Sequence, residues 1–505
     1  MIPLSILIWL PLAVALGAAL LPKAVAPKVV LAGTVATLAI AISLVADFDS
    51  AKVGLQDLTD RMWIPALGIH YKLGIDGLNV WLVALTAFSF VVTTGFSVAR
   101  EWDRPKSFYF HIGLAETAVL GALVAQDLAL FVLFFDLMLV PFFFLTGMWG
   151  QGDRVRATQK MVIYTLVGSL LMLSAAVALA VLSAQGSQPL SFAFSDLVRV
   201  GLPVGTQELI FIGFAAAFLV KMPLFPLHGW MPDGYGAMPL PVLAIFSGVL
   251  SKVAAYGFLR IVLPILPDAS REYQEILLLI ALASILYGSV MAFTTTNVRL
   301  ILGYSSVAQL GFITLGIFSL DPRGAQGALL QMVNHGVVTV ALFLILAVVA
   351  ARAGGSPRLQ DMGGIAFRAP LLATIFLIAA LANLAMPGSS NFVGEFYILL
   401  GTFEAKTAIA IVAFLGVAAA SVYTLRAFIR AMHNRVGPRV RSRELSLADG
   451  LAIVPAIVVI LALAVYPQLP LKDSQPAIKR TIAASKLTVD KPAPTRAQVP
   501  GGTGQ

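Results

Sequence analysis

The sequence contains no cysteine, which excludes disulfide bonds and cysteine-ligated zinc or iron–sulfur centres. Its five histidines are scattered and show no metal-ligand spacing. Charge is also scarce: 12% of the residues are charged, against about 25% in soluble domains. Hydrophobic residues make up 59%, which is typical of a polytopic membrane protein. The net charge of +9 comes without a nucleic-acid-binding motif, so no nucleic-acid partner is expected.

Apolar runs long enough to cross a bilayer follow one another along most of the chain. They predict an all-α polytopic membrane protein with about fourteen transmembrane helices. No basic segment precedes the first run, so we expect a retained span and not a cleaved signal peptide. Residues 467–505 are polar, and we expect a surface-lying or poorly ordered tail. The predicted spans are approximately 2–22, 28–46, 74–98, 108–125, 127–147, 160–184, 207–227, 238–264, 274–295, 299–319, 326–352, 366–403 (broken), 407–431 and 446–466.

Lysine and arginine are distributed unequally between the connecting loops. Loops after odd-numbered spans hold about 18 of them, and loops after even-numbered spans hold about 8. Basic loops remain in the cytoplasm. We therefore expect both termini on the outer, periplasmic side of a bacterial inner (cell) membrane.

A faint internal repeat links two dipeptides that break long apolar runs. Met222-Pro223 and Met386-Pro387 lie 164 residues apart. Three residues of the helix after each break also match, at shifts of 168, 167 and 166: Gly248, Tyr256 and Arg260 with Gly416, Tyr423 and Arg426. Two five-helix units of opposite orientation would be a transporter architecture. Chance similarity among helices rich in leucine, alanine and glycine is the alternative.

Four ionisable residues lie inside or beside apolar runs: Asp136, Lys221, Lys252 and Glu395. A charge at bilayer depth costs at least a few kcal/mol unless it is paired or hydrated. Lys221 and Glu395 also flank the two proline-broken helices. Buried charge beside an interrupted helix is typical of transport sites, so proton or ion conduction is the leading hypothesis.

These residues, with His335, can be arranged as a proton path. Burial favours the neutral form of a lysine, and a nearby carboxylate favours the charged form. Asp136 is the main candidate partner of Lys221, whereas Lys252 lies among small residues without a carboxylate nearby in sequence. His335 is suited to proton relay. Glu395 follows the second break, at the expected far end of the path.

Each of these residues also has a structural interpretation, and the residues alone leave both open. Asp136 and Lys221 can form a purely structural ion pair. His335 can be a hydrogen-bonded core residue, and Glu395 can lie near the surface with its carboxylate in the interface. Three further acids lie in the apolar region. Glu116 is assigned to helix contacts, with a role in the proton path left open. Asp127 and Asp233 are assigned to helix caps or loops.

Six sequence runs together are similar to the antiporter-like membrane subunits of respiratory complex I. They cover about residues 60–435, in order. Glu395, in FVGEF, is typical of the M-type branch, equivalent to mitochondrial subunit 4, since sister subunits L and N usually have lysine there. The runs are LGIDGLNVWLVALTAF (73–88), AQDLALFVLFFDLMLVPFFFLTGMWG (125–150), KMPLFPLHGWMPD (221–233), SGVLSKVAAYGFLR (247–260), LGYSSVAQLGF (302–312) and LANLAMPGSSNFVGEFYILLG (381–401).

The resemblance implies fourteen helices, two inverted five-helix repeats, and breaks in helices 7 and 12. It implies proton translocation through Asp136, Lys221, Lys252, His335 and Glu395. The expected division of the chain is 1–107 for helices 1–3, 108–264 and 265–431 for the two repeats, 432–466 for a cytoplasmic loop and helix 14, and 467–505 for the tail.

The resemblance also implies partners and cofactors. Subunits L and N are the expected neighbours, and flavin, iron–sulfur centres and quinone are expected in partner subunits, with no cofactor or metal in this chain. Electron transfer in NADH:quinone oxidoreductase (NADH dehydrogenase) would then drive proton pumping here. Whether the quinone is ubiquinone or menaquinone stays open.

The sequence departs from the family pattern at several positions. Asp136 stands where glutamate is usual, and Gln309 stands where histidine is usual. Tyr235, Ala237 and Asn297 replace histidine, glutamate and aspartate. These differences leave the exact relay open. Three alternative functions also remain: a subunit of an Mrp-type antiporter or membrane-bound hydrogenase, a stand-alone secondary transporter, and a purely structural assembly subunit.

Overall fold

The computed structural model describes residues 3–52, 54–184 and 189–486. Within them, twelve helices are long and apolar enough to cross a membrane. The shorter apolar helix Leu4–Leu20 and the broken pair Pro370–Asn383 and Ser390–Ala405 bring the spans to the predicted fourteen. The all-α membrane fold is therefore confirmed.

The spans are numbered α1 to α14 in chain order, and α15 follows them. The two broken spans are given as halves. The bounds are α1 Leu4–Leu20, α2 Ala26–Ala46, α3 Val80–Val98, α4 Pro105–Val124, α5 Leu128–Trp149, α6 Arg154–Ser183, α7a Val204–Lys221, α7b Met231–Ala237, α8 Leu240–Ile265, α9 Gln274–Thr294, α10 Val298–Phe318, α11 Pro322–Arg352, α12a Pro370–Asn383, α12b Ser390–Ala405, α13 Thr407–Met432, α14 Leu447–Val465 and α15 Gln468–Lys486.

Two helix breaks occupy equivalent places in the fold. Helix α7a ends at Lys221, two residues before Pro223, and α12a ends at Asn383, four residues before Pro387. Proline cannot donate the backbone hydrogen bond that would continue a helix. Each break falls in the fourth span of a five-span unit, α4–α8 or α9–α13. Because five is odd, consecutive units run in opposite directions across the membrane.

A β-hairpin separates α2 from α3, where the sequence analysis placed only a loop and the start of a span. Strands β1 (Gln56–Ile64) and β2 (Ile69–Ile75) pair antiparallel. Helix α3 consequently begins at Val80, six residues later than predicted. On the hairpin, Asp60 contacts His70 Nδ1 at 2.7 Å and Lys72 Nζ at 3.3 Å. Burial alone would raise the pKa of Asp60, but these two partners hold it below its usual value.

The first half of the predicted polar tail is helix α15. Its buried residues include Leu471, Ile478 and Ile482, at helical spacing, and the two isoleucines join the main hydrophobic core. Asp473 accepts a hydrogen bond from Trp81 Nε1 of α3 at 3.1 Å. The segment 468–486 is thus a packed amphipathic helix rather than a poorly ordered tail, because its apolar residues lie on one face and its polar residues on the other. Residues 487–505 lie outside the described part.

A buried ion pair links α8 to the start of α3. The Arg260 guanidinium contacts the Asp76 carboxylate, and both side chains are largely shielded from solvent. Arg260 Nε also donates to the Tyr256 hydroxyl at 2.9 Å. Asp76 accepts a further bond from the Leu78 backbone N–H at 2.9 Å. Two distant segments are therefore held together by compensated charges.

Arg260→Ala is expected to destabilise this region, by about 3–5 kcal/mol, because it leaves the Asp76 charge buried and unpaired. The measurement is the fraction of the chain retained in its purified complex after graded heating. The control is Lys406→Ala, which removes an exposed pair with Glu275 and should cost less than about 1 kcal/mol. Equal heat sensitivity of the two variants would contradict the prediction.

Candidate functional site

All five predicted path residues lie within the spans or at a break. Asp136 is in α5, Lys221 ends α7a, Lys252 is in α8, His335 is in α11 and Glu395 is in α12b. Asp136 is half-buried, and the other four are at most 5% exposed. Buried ionisable groups in spans face the bundle interior and mark ion or proton pathways. The Glu395 side chain is enclosed by the protein and is not exposed at its surface.

Asp136 and Lys221 are close enough to interact electrostatically, but the two side chains form no direct ion pair. The Lys221 ammonium lies 4.8 Å from the centre of the Phe135 ring, a cation–π contact. Asp136 Oδ1 has no hydrogen-bond partner among the described residues, and Ser169 of α6 lies beside the carboxylate. The acid therefore acts on the lysine by its charge, and its proton can change without breaking a shared hydrogen bond.

Lys252 is held by a distortion of its own helix. Residues Phe246–Leu250 of α8 are π-helical, and Lys252 Nζ donates to the Ser247 carbonyl at 2.8 Å. A π-helical turn leaves a carbonyl available and is frequent at functional sites. Across the helix interface, Ser247 Oγ lies 3.3 Å from Ser306 Oγ of α10. No carboxylate in the described ranges forms an ion pair with Lys252, as its sequence context predicts.

His335 lies in the middle of α11 and interacts electrostatically with Lys252. Its Nε2 is 3.0 Å from Thr339 Oγ1, one turn later. Its buried Nδ1 has no partner among the described side chains and backbone groups. A ring nitrogen that is free of protein bonds is available to a passing proton. The fully satisfied core histidine of the structural interpretation is not observed.

The side-chain amides of Gln309 and Gln331 both contact Glu395, an association that was not predicted from the sequence. Its Oε1 accepts from Gln309 Nε2 at 2.7 Å and from Gln331 Nε2 at 3.3 Å, while its Oε2 has no partner in the described structure. Gln331 Nε2 also lies 2.8 Å from Gln309 Oε1. Gln331 was missed, although it precedes His335 by four residues and so shares its helix face.

A cluster of hydroxyl and amide side chains adjoins Glu395. The Tyr423 hydroxyl of α13 lies 3.0 Å from Ser305 Oγ of α10. Asn383, the last residue of α12a, donates to the same Ser305 Oγ at 3.0 Å and to Thr424 Oγ1 at 3.2 Å. Tyr423 and Glu395 are close enough to interact electrostatically. The break in α12 is therefore lined by groups that can hydrogen-bond water.

The other acids named from sequence differ in their surroundings. Asp127 caps α5 by accepting from the N–H groups of Ala129 and Leu130, as predicted. Asp233 lies inside α7b and pairs with Lys160 Nζ at 2.7 Å. Glu116 is fully buried in α4, and both its carboxylate oxygens lack a hydrogen-bond partner in the described structure. The predicted helix contacts of Glu116 thus include no hydrogen bond to its carboxylate within the described residues.

The structure places Asp136 near Lys221 and Lys252 near His335. Lys221 and Glu395 lie beside the two helix breaks. The transmembrane family described as "NADH:quinone oxidoreductase/Mrp antiporter" matches residues 125–421 of this chain. The chain belongs to this family. The match includes all five path residues and both helix breaks.

Two bacterial members of the oxidoreductase branch are similar over most of their length. NADH-quinone oxidoreductase subunit M of Rhodobacter capsulatus is 35% identical over 92% of this chain and 93% of its own. Subunit M of Escherichia coli K12 is 35% identical over 83% of this chain and 84% of its own.

Solved structures agree with the fold. A chain of respiratory complex I from Thermus thermophilus has a TM-score of 0.88, with 29% identity over 95% of this chain and 99% of that chain. A chain of the Mrp complex from Dietzia has a TM-score of 0.81 with 23% identity, covering 96% of this chain and 100% of that chain. That second likeness concerns the fold alone. Both branches of the NADH:quinone oxidoreductase/Mrp antiporter family therefore share this architecture.

This family member keeps local structure at two of its sequence departures. The Asn297 side chain accepts from the Arg299 N–H at 3.0 Å and so caps α10, a task that aspartate also performs. Arg299 then donates to the carbonyls of Gly236 and Met238, which fixes the end of α7b. Tyr235 is fully buried against Phe246. Helix ends near the first break are therefore preserved without the usual histidine and glutamate.

Proposed function

We propose that this chain is the proton-translocating, M-type membrane subunit of a bacterial NADH:quinone oxidoreductase. The observation that carries the proposal is a set of five ionisable groups inside the spans or at a break, four of them buried. Two of the five, Lys221 and Glu395, lie beside the broken helices. The M-type relatives support the choice of complex, because their similarity extends over most of both chains. Such groups have a cost in stability, and ionisable residues inside spans usually mark ion or proton pathways.

The proposed mechanism alternates the charge of neighbouring groups. When the Asp136 carboxylate is ionised and close, it favours the protonated form of Lys221. Neutralising or moving Asp136 releases that proton toward Lys252. From Lys252 the proton reaches His335 and then Glu395, the terminal group. Each transfer changes the field at the next group, so the groups act in sequence.

The source of energy lies outside this chain in this proposal. Flavin, iron–sulfur centres and quinone are assigned to partner subunits, and electron transfer there rearranges charge here. Subunits L and N are the proposed neighbours. The distribution of basic residues between the loops favours periplasmic termini in a bacterial inner membrane.

Two other functions make different predictions. An Mrp-type antiporter or hydrogenase subunit shares the fold, so the subunits that co-purify with the chain decide between these complexes. A stand-alone transporter needs a solute-sized cavity at the broken helices. Two cavities, of about 680 and 440 Å³, lie beside α15 and the β-hairpin and are not lined by residues of the two breaks.

Glu395→Gln tests the terminal role. The substitution keeps the shape and removes the titrating group, and we expect proton pumping to fall several-fold. Glu395→Lys should restore part of it, because sister subunits use lysine at this position. The measurement is proton uptake by vesicles that contain the assembled complex, relative to NADH oxidised.

Three outcomes separate the possibilities. Normal pumping by Glu395→Gln would show that Glu395 is not in the path. Equal failure of the glutamine and lysine variants would show that the site requires an acid. Lost pumping with normal assembly, rescued by lysine, supports the proposal.

A further inference from the structure

The surroundings of Glu395 point to a function for two neutral side chains. We propose that Gln309 and Gln331 are positioning residues that hold Glu395 by Oε1 and leave Oε2 as the atom that gains and loses the proton. This inference rests on the proposed function of Glu395 as the terminal group. It concerns which oxygen reacts and what stabilises its charge.

The amides form a closed triangle with one carboxylate oxygen. Gln309 Nε2 lies 2.7 Å and Gln331 Nε2 lies 3.3 Å from Glu395 Oε1, and Gln331 Nε2 lies 2.8 Å from Gln309 Oε1. Gln309 is 1% exposed, Gln331 0% and Glu395 3%. Three helices, α10, α11 and α12b, contribute one group each. The hydrogen bonds orient the three groups relative to one another, while Gln331 Oε1 and Glu395 Oε2 have no partner in the described structure.

The triangle has a defined polarity. Gln309 Oε1 accepts from Gln331, so the other end of the Gln309 amide, its N–H₂ group, points at Glu395. Both amides therefore donate to the same oxygen. Donated hydrogen bonds favour the ionised form of a carboxylate. When the acid is protonated, the proton goes to Oε2, because Oε1 is already bonded to two donors.

A glycine permits this close approach. A Cβ atom added at Gly394 would lie 2.5 Å from Gln331 Oε1 and 3.2 Å from Gln331 Cβ. Any side chain there would displace the Gln331 amide from Glu395. The local sequence Gly394-Glu395 thus places the acid against α11.

The groups around the triangle explain why this matters for transfer. His335 lies one turn after Gln331 on α11, with Lys252 beyond it, and the Tyr423 hydroxyl faces Glu395 from α13. Amide side chains neither accept nor release protons near neutral pH. A proton coming from His335 therefore passes around the triangle and arrives on the Oε2 side of Glu395.

The test is Gln309→Leu in the assembled complex, reconstituted in vesicles. Loss of the shorter bond should move the pH of half-maximal pumping by about one unit toward higher pH, since the ionised acid loses a donor. The infrared C=O stretch of protonated Glu395, identified by its loss in Glu395→Gln, should shift as well. Gln309→His should restore both, because an imidazole N–H can donate to Oε1.

The matched control is Gln326→Leu, on α11, the helix that also carries Gln331. Gln326 is buried, and its amide donates to the Leu471 carbonyl at 2.7 Å, away from Glu395. It should change neither the pH profile nor the infrared signal. Gln331→Leu, which removes the longer bond to the acid, should give a smaller shift than Gln309→Leu, and it serves as the test if Gln309→Leu fails to assemble.

The results separate this inference from the proposed function. If Glu395→Gln abolishes pumping but both leucine variants behave like Gln326→Leu, the positioning role is overturned and the terminal role of Glu395 stands. If Glu395→Gln pumps like the parent, the proposed function fails first. A pH and infrared shift in both leucine variants, reversed in Gln309→His, supports the triangle.

Discussion

Lys252→Met should reduce proton pumping at least tenfold while the complex still assembles. The lysine is 1% exposed and has no ion-pair partner among the described residues, so its charge can respond to neighbouring charges. Methionine fills a similar volume and lacks the titrating group. Neither the nearby π-helical turn nor the Ser247 carbonyl requires a charged side chain at position 252. The measurement is the ratio of protons pumped to NADH oxidised, in vesicles containing the complex.

The control for Lys252→Met is Lys406→Met, at an exposed site that is not one of the five path residues. Its ratio of protons to NADH should equal that of the parent. A normal ratio in Lys252→Met would instead support a purely structural subunit. Loss of assembly would be detected beforehand, by the absence of the chain from the purified complex.

Asp136→Asn should impair coupled turnover by at least tenfold, whereas Asp136→Glu should be tolerated. Asparagine keeps the size of the side chain and removes the charge that favours protonated Lys221. Asp136 and Lys221 form no direct ion pair. The longer glutamate side chain can therefore keep the charge interaction without disturbing a hydrogen bond between the two residues. Family members usually have glutamate at this position.

The measurement for the Asp136 variants is NADH oxidation together with proton uptake in the same vesicles. Ser169→Ala is a useful companion, because it alters the neighbour of the carboxylate without changing charge. It should reduce turnover far less than Asp136→Asn. Similar behaviour of the asparagine and glutamate variants would show that charge is not the operative property.

The candidate site was only partly predictable from sequence. Lysine, aspartate and glutamate inside apolar runs are conspicuous, because their burial has a large cost. Gln309 and Gln331 are not conspicuous, because neutral amides are tolerated in many helical positions. The β-hairpin 56–75 was missed because the sequence of β1, QDLTDRMWI, lacks the strict alternation of apolar and polar residues that predicts a strand. Helix α15 was missed because its mean polarity hides an apolar face.

The number of spans, the two helix breaks and the five candidate path residues were predictable from the sequence. They follow from local properties: the length of apolar runs, the missing N–H of proline and the cost of charge in lipid. Which groups contact one another is known only from the folded structure. Gln309, Gln331 and Glu395 come from three helices, and Ser247 and Ser306 from two, so their contacts depend on helix packing and rotation. Hydrogen bonds act over about 3 Å, and no pattern along a single chain specifies a distance that short between separate helices.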